Sequence, residues 1–540
     1  MAKISKWDKI IKDLFSNKNT FYTATDLIDF LCRKYDIKNS NARQIVKRSV
    51  VKGLIKSSSP FTFQSGQYVY MDLKSNLNLD VLLKISQKYK PSLYRLLWLF
   101  NEEEKIISTY EAKKIMGVAV ENIDKYKLVD FKREINELIN NNILSIKYHV
   151  DKNIEYLISS EWTSESYIRD QMNLHFEKMS LDVLLVPDII RWLKKHNFID
   201  SNNIAYRRID NPSIGAKHND FLWDVYSYTN TTGFSIGVGT QNKQTLVVLD
   251  VLIHREYSKQ DLLGFYNRIQ SVRNSTHGDT RKILPIIFYN EIDLNVKKEI
   301  QQLKILNFSI QDIFGIKVTE IINKLDAVKQ LLDDQYLSLE KKSKDVVENI
   351  ESTLEIMKDT GHTDNLQNLK GDLFESLMYV IISNLYSYRG DRIMHSVNLK
   401  PYEYDIVVQG IDEIIVFELK GFKNTTIINL GDSDTKNTVR WFFAKTFPHA
   451  KNKYAVPNHF YALNKSQIKG CYITSGQFSK DAKEKLVEIN KSNSIKPTDL
   501  DCYYDQASLL ELVKNHPQLG VLRKSTNFVY LLERYYLEDK

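Results

Sequence analysis

The sequence predicts a multidomain protein of mixed α/β and α+β class, on three observations. The chain is 540 residues long, which at ordinary domain size calls for three or more cores. Its hydrophobic periodicity changes along its length, from helical stripes closed by hairpins near the N-terminus to alternating helices and strands further on. The last third holds strongly apolar strands, one of which ends in charged residues, "EIIVFELKG". Composition and breaks divide the chain into 1–78, 79–162, 163–317, 318–364 and 365–540.

In the first region "KWDKIIKDLFS", "TATDLIDFLCRKY" and "NSNARQIVKRSVVKGLI" read as three amphipathic helices. Two strand-like pieces follow in "KSSSPFTFQSGQYVYM", around a Ser-Gly turn. Three helices and a hairpin are the winged-helix plan, a helix-turn-helix variant. With Ile45, Val46, Val50 and Leu54 turned to a core, the third helix offers Arg43, Gln44, Lys47 and Arg48 outward. That set suits phosphates and base edges, and DNA is the partner it predicts; the plainer reading is a solvated basic face.

The plan repeats from about 90 to about 160, in "PSLYRLLWLFNEE", "STYEAKKIMGV", "VDFKREINELINNNIL" and the hairpin "SIKYHV"/"IEYLIS". Its third helix mixes Lys132 and Arg133 with Glu134 and Glu137. Mixed charge points to a spacer or a protein contact rather than a phosphate-reading face.

Between 163 and 317 the order is helix, strands, helix, strand, helix, which predicts an α/β domain with a mixed sheet. Residues 318–358 carry apolar residues at steps of three and four, from Val318 through Tyr336 to Met357. That run predicts one long helix, serving as a spacer on its own domain or as a pairing coil. "TGHTDNLQNLKGD" reads as a hinge.

The C-terminal region predicts a buried helix, "DLFESLMYVIISNLYS", then strands "RIMHSVNL", "YEYDIVVQG" and "EIIVFELKG". Side chains two apart in a strand share a face, so Glu418 and Lys420 point the same way. A hairpin brings Asp405 to the same edge. Two neighbouring carboxylates repel unless a cation sits between them. Mg²⁺ takes a few carboxylate oxygens, activates water and neutralises charge building on a phosphate. A lysine beside them can orient the water or stabilise the phosphate oxygens. Glu375, on the preceding helix, can add a ligand or position a water. The plain alternative is a salt bridge at a sheet edge.

Asp405 followed by Glu418-Leu419-Lys420 resembles the PD-(D/E)XK nuclease superfamily. "GCYITSGQFSKDAKEKL" is similar to the region downstream of that motif in Mrr-type restriction endonucleases, where a strand ends in Thr and an Ala-containing helix packs back. "GDLFESLMYVIISNL" resembles the family's opening helix, with Glu375 at its acidic position. The resemblance runs from 371 to 513. It implies a restriction-endonuclease-like α/β/α core, dependence on Mg²⁺ or Mn²⁺, and DNA cleavage by Asp405, Glu418, Lys420 and Glu375, with Asp405 and Glu418 holding the metal. Tyr404 stands where the family has Pro. The segment 421–465 lacks a clear counterpart; its Lys436, Arg440, Lys445 and Lys451, with Trp441 and Phe442, could track a strand or stack on bases, or form an ordinary amphipathic helix.

The region 163–317 carries an echo of the same pattern. "WDVYSYT" puts Asp224 where Asp405 stands, and "TLVVLDVLI" puts Asp250 where Glu418 stands, but Leu252 replaces the lysine. A degenerate, inactive nuclease-like copy and an unrelated α/β domain both fit. His254 has no partner at ligand spacing and reads as structural or solvated.

Net charge is +8 from 75 basic and 67 acidic residues, compatible with nucleic acid but not diagnostic. The three cysteines form no CxxC pair, so neither a disulfide framework nor a cysteine-rich zinc site is expected. No stretch approaches the roughly 18 apolar residues of a spanning helix, and no signal peptide is legible, so a cytoplasmic protein is expected. The expected function is a metal-dependent DNA endonuclease of restriction or anti-phage type, as a homodimer if both strands are cut. A non-catalytic DNA-binding regulator or sensor, an RNase and a protein-bridging module are the rivals.

Overall fold

The computed structural model describes residues 5–16, 20–59, 61–63, 67–75, 77–118, 131–208, 211–230, 244–275, 282–334, 336–359, 366–436, 438–455 and 464–537. The expected Ser65-Gly66 turn lies outside them.

Two N-terminal modules share one topology. In the first, helix Lys6–Leu14 starts at a Ser5/Asp8 capping box, and strand Phe21–Thr23 leads into helix Ala24–Tyr35, capped by Thr23. Helix Asn39–Val51 follows, and strands Lys56–Ser57 and Val69–Met71 complete a three-stranded antiparallel sheet with Val69–Met71 in the centre. Ile11, Leu27, Leu31, Ile45, Val46 and Ile55 make the core. The second module runs Pro91–Glu102, Ile106–Ser108, Thr109–Met116, Phe131–Asn140, Leu144–His149 and Ile154–Ser159, again with its last strand central. Glu134, expected to weaken a phosphate-reading face, is turned inward and pairs with Lys90 at 2.5 Å. Helix Leu79–Tyr89, which the hydrophobic pattern did not single out, packs on Pro91–Glu102.

Beyond them lie two five-stranded sheets built to one pattern. In the middle sheet the strands are Ala205–Tyr206, Val225–Thr229, Thr245–Leu252, Ile283–Tyr289 and Leu306–Ser309. In the C-terminal sheet they are Arg392–Leu399, Tyr402–Gln409, Ile414–Lys420, Ile468–Thr474 and Tyr503–Tyr504. In both, chain order equals spatial order. The first three strands are antiparallel and the last two run parallel to the third. Helices Lys259–Ser275 and Leu294–Gln302 fill the crossovers of the first sheet; segments 439–454 and Lys480–Asn490 fill those of the second.

Several expected elements are broken for local reasons. "FLWDVYSYT" is two strands, Phe221–Trp223 and Val225–Thr229, parted at Asp224. "LDVLLVPDIIRWLKKHNF" belongs to two helices, Glu165–Leu184 and Val186–Lys195; Pro187, lacking an N–H, fits only the first turn of a new helix. The single long helix expected over 318–358 is instead Val318–Asp333 and Leu339–Asp359, packed on each other. Between them the Asp334 carboxylate accepts from the backbone N–H of Tyr336 (2.7 Å) and Leu337 (3.3 Å), a turn that competes with the helix. Tyr336, placed by periodicity on the apolar stripe, is 93 % exposed. Of the expected hinge, 360–365 lie outside the described residues, and from Gln367 the chain is already in helix Gln367–Tyr386.

The helix pair is central to the packing. Val346, Ile350 and Leu354 bury against the chain's own core, so that face is not available to a coiled-coil partner. One apolar cluster runs from Val247, Leu249 and Phe288 in the middle sheet, through helices 318–333, 339–359 and 367–386, to Ile406, Phe417 and Ile473 in the C-terminal sheet. The opposite face of each sheet has its own cluster, around Phe265 and Ile269 in one and Phe442 and Leu486 in the other. The second N-terminal module joins through close backbone approach: a Cβ added at Gly264 would stand 2.6 Å from the Ile115 carbonyl oxygen. The three cysteines are free, and no helix among the described residues is long and apolar enough to cross a membrane.

Candidate functional site

The site is set by how the second and third strands of the C-terminal sheet part. Their ladder runs from Gln409–Ile414 to Ile406–Phe417 and stops there. Past that point the Leu419 N–H would lose a backbone partner; the Asp405 carboxylate takes it, Oδ2 accepting at 2.5 Å. Asp405 is thereby fixed beside Glu418 and Lys420. The Lys420 ammonium lies 2.9 Å from Glu418 Oε1 and 3.6 Å from Asp405 Oδ2, and donates to the Leu419 carbonyl at 2.9 Å. The second oxygen of each carboxylate, Asp405 Oδ1 and Glu418 Oε2, has no hydrogen-bond partner among the described residues.

The "ITSG" turn locks the strand end. Thr474 Oγ1 donates to the Lys420 carbonyl (3.0 Å), the Ser475 N–H donates to the same oxygen (3.1 Å), and Ser475 Oγ accepts from the Phe422 N–H (2.8 Å). A Cβ at Gly421 would lie 2.6 Å from the Phe374 side chain, so only glycine lets helix 367–386 approach this closely. That approach carries Glu375 into the same cavity as Asp405, Glu418 and Lys420.

The cavity, of about 1020 Å³, is lined by both sheets' units: Arg208 and Tyr206 stand across from the acid pair's own domain, and Lys436 and Trp441 also line it. Burial pushes the Glu418 carboxyl up, Lys420 pulling against it and Asp405 adding to the rise. Burial, then the charge on Asp405, pushes Glu375 well above the carboxylate range. Burial works against the charge on Lys420, yet Asp405 and Glu418 outweigh it and hold the ammonium well above the usual lysine range. Glu403, also lining the cavity, is pushed up to about 8 by burial and then by Asp405.

The middle sheet repeats this frame. Its second-to-third ladder ends at Val225–Leu249, and the Asp224 Oδ2 then accepts from the Val251 N–H at 2.8 Å, as Asp405 does from Leu419. The lysine missing at Leu252 is supplied from the second N-terminal module. Lys114 Nζ lies 2.6 Å from Asp224 Oδ2 and 3.1 Å from Asp250 Oδ1, and donates to the Val251 carbonyl at 3.3 Å. Here every carboxylate oxygen is taken. Tyr110 and Arg207 hold Asp224 Oδ1, Arg268 joins Lys114 on Asp250 Oδ1, and Tyr257 donates to Asp250 Oδ2. Asp224 and Asp250 are 0 % and 1 % exposed, against 17 % and 11 % for Asp405 and Glu418. The middle pair is thus an internal ion network, with no carboxylate oxygen left for a metal. No local sequence signal marks Lys114; it reaches Asp224 across 110 residues.

His254, expected to be structural or solvated, has a buried side chain that holds a structural ion pair: Nδ1 lies 3.0 Å from Asp182 and Nε2 3.3 Å from Glu103. Burial opposes its charge, but Asp182 and Glu103 push the imidazole up to about 9. In segment 421–465 the expected set divides. Phe442 is fully buried, stacked on Phe447 and edge-on to Tyr472, so it cannot stack on bases. Lys445 pairs with Asp434, and Lys451 donates to the Ser494 carbonyl at 2.9 Å. Arg440 is exposed. On the helix Asn39–Val51, Arg43, Gln44, Lys47 and Arg48 are all exposed while Ala42, Ile45, Val46 and Ser49 are buried. Val50 and Leu54, expected in that core, are half-buried, and Ile55 is buried instead.

No family model matches the chain, and no curated protein matches it. Among solved structures it aligns with the restriction endonuclease FokI at 11 % identity and a TM-score of 0.19, over 98 % of this chain and 92 % of that one. A superposition at that score does not establish a common fold.

Lys114 gives the site's stability test. Removing one partner of a buried ion network leaves its carboxylates uncompensated, at a cost of about 3–5 kcal/mol. Lys114→Met is expected to lower the stability of the full chain to denaturant by that much, whereas Lys445→Met, whose ammonium pairs with an exposed Asp434, is expected to leave it nearly unchanged. Equal effects would show that the middle acid pair does not depend on Lys114.

Proposed function

We propose that the chain is a divalent-metal-dependent nuclease that hydrolyses phosphodiester bonds at Asp405, Glu418 and Lys420, with Glu375 in support. The observation that carries this is the contrast between two equivalent acid pairs. One is sealed by cations and phenols on every oxygen, and the other keeps Asp405 Oδ1 and Glu418 Oε2 uncommitted beside a cavity. Two carboxylates with free oxygens fit Mg²⁺ or Mn²⁺, which take a few carboxylate oxygens and keep several waters. When bound, such an ion supplies Lewis-acid stabilisation of charge on the phosphate and activation of water. The amide of Leu419 fixes Asp405, so the acid pair is preorganised before any ligand arrives. Lys420, protonated throughout the neutral range, is placed to donate to a phosphate oxygen or to hold the attacking water. Glu375, carrying its proton, can give it up to a water or ligand entering the cavity. The strand order, the Asp, Glu and Lys positions and the Thr474–Gly476 turn all fit the PD-(D/E)XK resemblance.

DNA is the proposed substrate. The first module's helix–strand–helix–helix–strand–strand order fits a winged helix, with Arg43, Gln44, Lys47 and Arg48 on its exposed face. The middle sheet is proposed as a degenerate nuclease-like copy kept for structure. A recognising front end joined to a cutting centre favours a restriction or anti-phage role, and cutting both strands calls for two copies.

One observation favours the rival, a non-catalytic DNA-binding regulator. Lys420 bridges its acid pair much as Lys114 bridges the sealed one. A cleavage panel with DNA and RNA decides. Mn²⁺- or Mg²⁺-dependent cutting is expected from the native chain, falling by at least about a hundredfold in Asp405→Asn and Lys420→Ala and less in Glu375→Gln. Because burial raises the Glu418 carboxyl, a cation that takes Glu418 competes with its proton, so Mn²⁺ affinity by calorimetry should strengthen as pH rises, with protons released. Cutting that survives both substitutions, or metal affinity indifferent to pH, would contradict the assignment.

DNA binding is tested in the cleavage-silent Asp405→Asn background. Arg43→Ala/Lys47→Ala/Arg48→Ala is expected to weaken binding and to flatten the dependence of log affinity on log salt, by about one unit for each phosphate no longer neutralised. Gln44→Ala is expected to alter sequence preference with the salt slope kept. Unchanged affinity and slope in the triple variant would show that the front end does not touch DNA.

A further inference from the structure

Three segments far apart in sequence bring an imidazole and two carboxylates together at a second place along the cavity. Glu177 comes from helix Glu165–Leu184, Asp333 is the last residue of helix Val318–Asp333, and His395 lies on strand Arg392–Leu399. One ligand atom from each lies within 4.8 Å of the others. His395 Nε2 is 2.7 Å from Asp333 Oδ1. Glu177 and His395 also line the cavity, which gives an ion a way in.

The polar groups there are not all satisfied. Glu177 is 3 % exposed, yet its Oε1 has no hydrogen-bond partner among the described residues, and neither does Asp333 Oδ2. Two ammonium groups flank the cluster without filling the gap. Lys329 stands 3.9 Å from Glu177 on the other oxygen, Oε2, and 3.7 Å from Asp372. Lys152 is turned to the His395 carbonyl at 3.4 Å and over the Phe176 ring. A buried and a half-buried carboxylate whose unpartnered oxygens have no donor between them call for a shared proton or a bound cation.

The donor set favours the cation and its class. Mg²⁺ prefers all-oxygen surroundings, while one imidazole nitrogen with two carboxylate oxygens suits Zn²⁺, Mn²⁺ or Co²⁺. We propose that Glu177, Asp333 and His395 form a second metal site that takes a transition-metal dication and ties the middle unit, the helix pair and the C-terminal sheet together. It shares no residue with Asp405 and Glu418, and it stands whether or not that pair cuts nucleic acid.

The test uses the full chain carrying Asp405→Asn and Glu418→Gln, so that the other acid pair cannot hold metal. Zn²⁺ titrated by calorimetry is expected to bind at one equivalent and to raise the melting temperature. Co²⁺ is expected to give a visible absorption band. Glu177→Gln, which keeps the side chain's volume, and His395→Gln should each weaken Zn²⁺ by at least about tenfold and remove the Co²⁺ band. Absence of Zn²⁺ binding in the parent chain, or binding unaffected by Glu177→Gln, would overturn the proposal. A melting temperature raised by Glu177→Gln with no Zn²⁺ effect in the parent would mean that a proton, not a metal, joins the two acids.

Discussion

A carboxylate replacing a backbone carbonyl where two antiparallel strands separate is the constraint on which both halves of this molecule rest. Asp405 does it for the Leu419 N–H, and Asp224 does it for the Val251 N–H. An orphaned amide at a sheet edge costs free energy unless something accepts from it. Once an aspartate takes that duty, its charge is pinned beside the residue that precedes that amide on the neighbouring strand, another acid in both sheets. The paired negative charge then has to be answered. In the middle sheet, cations and phenols answer it completely. In the C-terminal sheet, Lys420 answers it in part and leaves oxygens beside a cavity. The same local geometry thus yields a structural staple in one place and a candidate reaction centre in the other.

The packing explains why the two have separate fates. Lys114 can reach the middle acid pair because helix Thr109–Met116 comes within backbone contact of Gly264 on helix Lys259–Ser275. At the corresponding point of the C-terminal sheet the crossover segment 439–454 packs its own Phe442 and Phe447 inward. The two sheets turn their other faces to a shared core around helices 318–333 and 339–359.

Much of this was legible in the sequence, for physical reasons. The strand "EIIVFELKG" announces itself because a run of apolar and aromatic residues follows Glu413, and the two-residue period alone puts Glu418 and Lys420 on one face. The echo at Asp224 and Asp250 was legible by the same rule. The helix pair was not, because the apolar steps carry across the break, where the Asp334 carboxylate accepts from the backbone N–H groups of Tyr336 and Leu337 in place of helix. Lys114 was invisible for a different reason: nothing near it in sequence is acidic strand, and only tertiary packing makes it a substitute for the missing lysine. The cluster of Glu177, Asp333 and His395 is hidden in the same way, spread over three elements with no local spacing to betray it.

The central claim is that one acid pair is open to a divalent cation while its counterpart is closed. Anomalous diffraction from crystals of the full chain equilibrated with Mn²⁺ tests it most directly. The account predicts a peak between the Asp405 and Glu418 carboxylates and none between Asp224 and Asp250. A peak at the second pair, or saturation with Mn²⁺ leaving the first pair without one, would contradict it.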